Sequence, residues 1–255
     1  MEVHHHTHHP KKWKEYITEF LMLFLAVSLG FLAENIREHQ VEKVREIKFL
    51  QNIHLDLKSD IVEIDKDIES NIKKQHMGDT MLNSYADGKL LKNLPDFYFF
   101  IRNISLRKLL ENSNNGFIQL KNAGGLRMIE NKKIIHDIQE YENLIIKIER
   151  LENISENTFQ NFRFKATKIL DVTTVTEMNR EQILSASDSN FVRFFKPAHP
   201  KPLITQDKSE INELLNLASY ALNTNVYIVR NLEKLKQQAI ALDNYILAEY
   251  GQKFD

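Results

Sequence analysis

The chain has 255 residues, of which 27% are charged, and its formal net charge is −1 at pH 7. This balance shows no overall bias toward nucleic acid, and the absence of Cys excludes disulfides, thiolate metal sites and cysteine nucleophiles. Only 7 Gly and 5 Pro interrupt long segments of helical periodicity. The composition therefore predicts an all-α protein.

The chain begins with a histidine-rich stretch, residues 1–11, which we predict to be disordered. Neutral imidazoles are common ligands for Zn, Ni or Cu, so a loose metal site is one interpretation. The other interpretation is an incidental compositional bias, because a disordered stretch offers no preformed coordination geometry. The candidate ligands are His4, His5, His6, His8 and His9.

The most apolar segment is residues 20–33, FLMLFLAVSLGFLA, which contains no charged side chain. As a helix it covers roughly 21 Å of a hydrocarbon core about 30 Å thick. Extension toward the N-terminus gives a transmembrane helix over residues 12–34, with Trp13 and Tyr16 at the headgroup level. A buried core helix of a soluble domain and a cleaved signal peptide are the two alternatives.

One face of the predicted span carries small residues. At 100° per residue, Ala26 and Gly30 lie within about 20° of the direction set by Glu19. Small residues at this spacing let membrane helices approach closely, and an acidic residue in a span usually faces protein or a water-filled cavity. A helix contact between copies of the chain is one interpretation, and a narrow oligomeric pore is the other. The candidate interface or pore residues are Glu19, Ala26, Gly30, Ala33, Glu34 and Arg37.

The charges on either side of the span suggest its orientation. Lys11, Lys12 and Lys14 precede the span, while the cations that follow it alternate with acidic residues. By the positive-inside rule, the more concentrated leading cluster favours a cytoplasmic N-terminus. We therefore expect a single-pass protein whose body lies outside the cytoplasm rather than within it.

Behind the span the helical pattern continues. Apolar residues recur every three or four positions from Val41 to Ile72. After Gly30, no Gly or Pro occurs until Gly78, which is predicted to supply a left-handed C-cap. The sequence therefore predicts one helix over residues 12–77, roughly 100 Å long. Such a helix with one apolar stripe must pack on later helices or on neighbouring chains.

The rest of the chain predicts further helices of unequal length. Asp96 is a candidate N-cap for a short aromatic-rich helix, and periodicity resumes at Asn131 for about 40 residues. A less regular stretch follows over residues 171–206, where prolines favour extended or turning backbone. A last long helix is predicted to begin near Asp207. Together these helices predict an elongated antiparallel bundle over residues 35–255.

Two segments carry a resemblance to a known family. EFLMLFLAVSLGFLAEN, with the His/Lys-rich start before it and DLKSD after it, resembles the opening of an uncharacterised family of single-span membrane proteins from Bacteroidota. FIQLKNAGGLRMIEN is similar to that family's F-x-x-LK-x-x-G-x-LR-x-I stretch. Where the family continues into an aromatic pair, this chain has Tyr141 followed by Glu142. The resemblance implies a single-span helical fold in a bacterial inner membrane, with the body in the periplasm by the orientation above, and it implies no activity.

No sequence motif indicates an enzyme. A Gly-rich phosphate loop, a nucleophile elbow and an HExxH zinc motif are absent from the sequence, and we expect no cofactor. The leading hypothesis is a membrane-anchored, non-enzymatic helical scaffold of the cell envelope. Its expected partners are the lipid bilayer and further copies of the chain, with no nucleic acid. The alternatives are an oligomeric ion channel or mechanically gated pore lined by Glu19 and Gly30, and a ligand-sensing extracytoplasmic bundle.

Overall fold

A computed structural model describes residues 12–106, 124–185 and 194–254 of the chain. Within these ranges the regular structure is helical and contains no β-strand, which confirms the all-α prediction. Short 3₁₀ turns accompany the longer helices. The α-helices of the described residues are α1 (Trp13–Ala86), α2 (Leu94–Ile104), α3 (Lys132–Ala166), α4 (Val172–Ser185) and α5 (Lys208–Tyr250).

The first helix, α1, has 74 residues and is about 110 Å long. It continues through Gly78, so the predicted C-cap at this position was wrong. Gly78 is buried inside the helix because Leu222 of α5 packs directly against its backbone, and a Cβ there would lie 2.3 Å from Leu222 Cδ1. A left-handed glycine does follow the helix, but it is Gly88, with a φ of 66°, just after α1 ends at Ala86.

The body of the protein is a bundle built from α1, α3 and α5, and α5 runs antiparallel to α1. Gln51, early in the bundled part of α1, donates through Nε2 to the carbonyl of Phe254, just after α5. Farther along α1, the Asn71 carbonyl accepts from Asn225 Nδ2 at 2.9 Å. Residue numbers therefore rise along α1 as they fall along α5, in agreement with the antiparallel prediction.

In contrast, α3 runs parallel to α1. The backbone N–H of Glu130, just before α3, donates to Glu46 Oε1 at 2.9 Å. Farther along both helices, the Tyr141 hydroxyl donates to Asp60 Oδ2 at 2.8 Å. Helix α5 therefore runs antiparallel to both α1 and α3.

The buried positions of α1 follow a stricter spacing than the sequence predicted. From Glu46 to Asp67 they alternate four and three residues apart, which is the spacing of a coiled-coil seam. Ile61 and Ile68, predicted to form the stripe, lie beside this row and are only half-buried. Asp60 occupies the row instead, because its carboxylate accepts a hydrogen bond from α3.

Two hydrophobic cores lie along the bundle and are separated by a polar layer. The first core, nearer the start of the bundled part of α1, contains Leu50, Ile138 and Leu235. The second, at the far end, includes the aromatic residues Phe97 and Phe162. Polar groups between two apolar cores favour one helix register over its alternatives. The buried or half-buried members of the polar layer are Asp67, Ser70, Asn71, Lys74, Ser155 and Asn225.

The start of α2 differs from the prediction. The N-cap is Asn93 rather than Asp96, since Asn93 Oδ1 accepts the backbone N–H of Asp96 at 3.3 Å. Pro95 fits the first turn because its missing N–H would have no partner there in any case. The helix consequently begins at Leu94, before the predicted cap.

The stretch 171–206, predicted to be irregular, contains the helix α4. Asp171 caps it, because its Oδ1 accepts the backbone N–H groups of Thr173 at 3.0 Å and Thr174 at 3.2 Å. Its Val and Thr residues have low helix propensity, which explains why the sequence pattern did not indicate it. The proline-containing segment 194–207 has no regular structure, as predicted.

Candidate functional site: the exposed end of α1

The N-terminal part of α1 projects away from the bundle. Before Glu46, no described residue of α1 is buried. Trp13 is 79% exposed, Leu23 68% and Phe31 74%. An 18-residue window of α1 is apolar enough to cross a membrane, and none of it is buried against the described remainder of the chain. The segment is therefore not a core helix of the described fold.

The exposed part of α1 is longer than the thickness of a bilayer core. Residues 13–45 extend about 50 Å, against a hydrocarbon core of about 30 Å. The predicted span 12–34 accounts for about 34 Å of helix, and residues 35–45 add about 16 Å before the bundle begins. In that connecting part, His39 Nε2 lies 3.8 Å from Glu130 Oε1, and both side chains are exposed.

The predicted interface residues lie together on this projecting helix. Glu19, Ala26, Gly30 and Ala33 are all exposed. A Cβ added at Gly30 would meet no described atom within 4 Å. The small face is therefore left uncovered by the described parts of its own chain, and it is open to an approaching helix.

Glu34 and Arg37, the other two predicted interface residues, form an ion pair with each other. Arg37 Nε donates to Glu34 Oε2 at 2.9 Å, and Arg37 Nη2 also contacts Glu34 Oε1. Both side chains are exposed and lie one helical turn apart. This ion pair lies at the end of the predicted span.

The histidine cluster predicted as a weak metal site lies outside the described residues, as does the whole stretch 1–11. In the described part of the chain, no group of three or more His, Asp or Glu side chains is arranged to hold a metal ion. His54 and Asp243 are paired, with 2.5 Å between Nδ1 and Oδ1. The ring of Phe254 lies beside this pair. The pair joins α1 to α5.

Glu46 is the first buried residue of α1 and forms hydrogen bonds to two other segments of the bundle. Its Oε1 accepts the backbone N–H of Glu130 at 2.9 Å and the Tyr250 hydroxyl at 3.0 Å. Glu46 thereby ties α1 to the start of α3 and to the end of α5. Burial, followed by the hydrogen bond to Glu46, raises the pKa of the Tyr250 hydroxyl, which stays a neutral donor.

Lys74 is the cation among the polar-layer residues named above. Its Nζ lies 5.5 Å from the centroid of the Phe159 ring. Burial lowers the pKa of Lys74 to about 8, while Glu152 and Glu156 act in the opposite direction. A cavity of about 30 Å³ adjoins Lys74, which is room for one water molecule.

Sequence reasoning did not identify Glu46 or Lys74. Glu46 lies four residues before Leu50 in the buried row, so the alternation of four and three residues would have indicated it. Apolar residues alone predict a looser spacing, which places isoleucines rather than charged residues in the row. A charged residue at a position of the buried row, such as Glu46, is therefore the feature of the sequence that indicates a buried polar contact.

The described residues combine an uncovered apolar helix with a closed bundle. The apolar part and the bundled part belong to one uninterrupted helix, α1. Glu46 connects α1 to the start of α3 and to the end of α5. This arrangement offers a surface for a membrane or for another apolar helix. Comparisons of the chain with protein-family models, with curated proteins and with solved structures gave no match.

Proposed function

We propose that the protein is a membrane-anchored, non-enzymatic helical scaffold of the bacterial cell envelope, with α1 crossing the membrane once. The observation that carries the proposal is the exposed apolar run at residues 20–33, in a helix that continues into the bundle. The resemblance to the Bacteroidota family suggests the inner membrane. The lysines that precede the span favour a body on the periplasmic side.

The apolar run has a transfer free energy that favours insertion. Nine of residues 20–33 are Leu, Phe or Val. At about −0.3 to −0.6 kcal/mol each near the centre of a bilayer, they favour insertion by roughly 3–5 kcal/mol. The flanking Glu19 and Glu34 lie at the ends of the span, where charged side chains reach the headgroups. In water the same surface would be an apolar patch of the kind that marks a membrane or protein contact.

The continuity of α1 supports a scaffold rather than a loosely tethered domain. Between Gly30 and Gly78 the helix contains no Gly and no Pro, so no residue there introduces a kink. Glu46 fixes α1 to α3 and α5 where the bundle begins. Residues 35–45 therefore hold the bundle about 16 Å beyond the end of the span, in a fixed orientation.

The buried polar groups support a structural rather than a catalytic role. Tyr141 donates to Asp60 across two helices, and Lys165 pairs with Glu210 across another two. Burial, followed by the charge of Asp60, raises the pKa of the Tyr141 hydroxyl, which stays protonated. These groups join helices instead of facing a cleft where a substrate would bind.

The proposal is tested by alkaline carbonate extraction of membranes from cells that express the full chain. We expect the protein in the pellet, with an N-terminus ahead of the span. A Leu23→Lys/Leu25→Lys variant should move to the supernatant, since each central Lys costs about 2.5–3.5 kcal/mol. The matched control is Leu55→Lys/Val62→Lys, which places the same charges at exposed apolar positions of the bundle and should stay in the pellet.

Two results would contradict the proposal. Release of the unmodified protein into the supernatant would show a soluble protein. An N-terminus that begins after residue 33 would show that the apolar run is a cleaved signal peptide.

A further inference from the structure

A cavity of about 140 Å³ lies at the far end of the bundle, where α2, α3 and α4 meet. It is distant from the exposed part of α1, and it belongs to the second hydrophobic core. Its apolar wall is formed by Ile101, Ala166, Leu170, Val172 and Val175. An apolar cavity of about 150 Å³ in another protein accommodates benzene, so this one has room for about six or seven non-hydrogen atoms.

The polar wall of the cavity contains two guanidinium groups. Arg163 donates through Nη1 to the Ser105 carbonyl at 2.9 Å, and its Nη2 contacts the carboxylate of Glu156. Arg163 is therefore already neutralised by an acidic partner. Ser105 and Thr167 complete the polar wall.

Arg102, in contrast, lacks a described anionic partner. Its Nη2 donates to Asn179 Oδ1 at 2.8 Å, and its guanidinium lies 4.1 Å from the centroid of the Phe194 ring. Its Nε is buried and has no hydrogen-bond partner among the described residues. Among the described residues, the ion pairs of this end of the bundle join Arg163, Lys165 and Lys196 to carboxylates, and Arg102 takes part in none of them.

The charges around Arg102 favour a bound anion. Burial lowers the pKa of Arg102, and the nearby charge of Arg163 lowers it further. Both effects act against a cation at this place, and the attraction of an anion that approached the guanidinium would oppose them.

We propose that this cavity binds a small monocarboxylate, whose carboxylate accepts hydrogen bonds from Arg102 and whose short hydrocarbon part fills the apolar wall. The planar fork of a guanidinium matches the two oxygens of a carboxylate. The predominantly apolar lining disfavours a small, fully charged ion such as phosphate, which has no hydrocarbon part to place there. The volume limits the ligand to about four or five carbon atoms in addition to the two carboxylate oxygens. This ligand site is independent of the scaffold role proposed for α1.

The proposal is tested with pentanoate as the probe. Isothermal titration calorimetry is performed on the full chain in phosphatidylethanolamine/phosphatidylglycerol nanodiscs, with empty nanodiscs as the reference for partition into lipid. We expect saturable binding of pentanoate, and no binding of pentylammonium or inorganic phosphate. Saturable binding of pentylammonium or phosphate in place of pentanoate, or no saturable binding at all, would overturn the proposal.

Two variants separate the charge from the shape of the site. Arg102→Gln should weaken pentanoate binding roughly ten- to hundredfold, because a hydrogen bond to a charged group is lost. Val175→Phe keeps every charge and fills the cavity, so it should also abolish binding. Arg150→Gln, an exposed position on α3, is the matched control and should bind pentanoate as the parent does.

Circular dichroism and the thermal midpoint confirm that each variant is folded. Should Arg102→Gln fail to fold, Val175→Phe still tests the site. Unchanged affinity in a folded Arg102→Gln or Val175→Phe, or equal loss in Arg150→Gln, would overturn the proposal.

Discussion

At the scale of single residues, Lys74 makes the stability of the bundle depend on pH. Its pKa is about 8 in the folded protein against an ordinary value of 10.5, so between these values the unfolded chain binds more protons than the folded one. The free energy of unfolding therefore rises with pH in this window. We expect a gain of roughly 1–2 kcal/mol between pH 7.5 and 9.5, measured by denaturant titration in detergent.

Lys74→Met should remove most of this slope, because the side chain no longer titrates. Lys73→Met serves as the control, since Lys73 is exposed and paired with Glu69 on the same helix. Measurements stop at pH 9.5 because the raised pKa values of Tyr141 and Tyr250 act in the opposite direction above the ordinary tyrosine range. An equal slope in Lys74→Met and the parent would contradict this account of Lys74.

At the scale of helices, the contact of Gly78 with Leu222 tests how closely α1 and α5 approach. A Cβ on residue 78 would lie 2.3 Å from Leu222 Cδ1, so Gly78→Ala forces one of the helices or the leucine to move. Overpacking of this kind costs about 1–3 kcal/mol. We expect Gly78→Ala to lower the free energy of unfolding, even though Ala favours a helix over Gly by about 1 kcal/mol.

A double-mutant cycle isolates the steric contribution. Leu222→Ala removes the obstructing methyl groups, at a cost of about 2–5 kcal/mol for the cavity it leaves. In that background Gly78→Ala should change sign and stabilise the protein, because only the helix propensity remains. The same destabilisation by Gly78→Ala in both backgrounds would show that Leu222 is not the reason for the glycine.

Helix starts could be predicted from the sequence where the responsible interaction is local. Asp207 and Asn131 stand at the predicted starts of α5 and α3, and each caps its helix by accepting N–H groups only two or three residues ahead. The end of α1 could not be predicted in this way. Gly78 resembles a C-cap in sequence, and only Leu222, far along the chain, turns it into a packing position.

The same difference between local and long-range interactions applies to the candidate sites. The exposed apolar helix was predictable because an uncharged run is a property of consecutive residues. Arg102 gave no comparable signal, since its neighbours Asn179 and Phe194 come from segments more than 70 residues away. The arrangement of charges within a bundle depends on which helices meet, and one sequence pattern does not determine that.

At the scale of the whole molecule, the structure leaves one long surface of α1 without a partner from its own described residues. The bundle buries its own seam from Glu46 onward. The small face at Ala26 and Gly30 is different, because nothing described covers it. We therefore expect self-association of the protein within the predicted membrane span rather than in the bundle.

Gly30→Leu tests this location of the interface. A leucine at position 30 would separate two helices that meet at the small face, and we expect it to weaken self-association by about 1–3 kcal/mol, the usual cost of overpacking. Phe31→Leu is the control, since residue 31 lies about 100° round the helix from residue 30. Self-association is measured by energy transfer between labelled full-length chains in liposomes, over a range of protein-to-lipid ratios. Equal loss of energy transfer in both variants would show that bulk in the span matters and the small face does not. Unchanged energy transfer in Gly30→Leu would place the interface on another face of α1 or in the bundle.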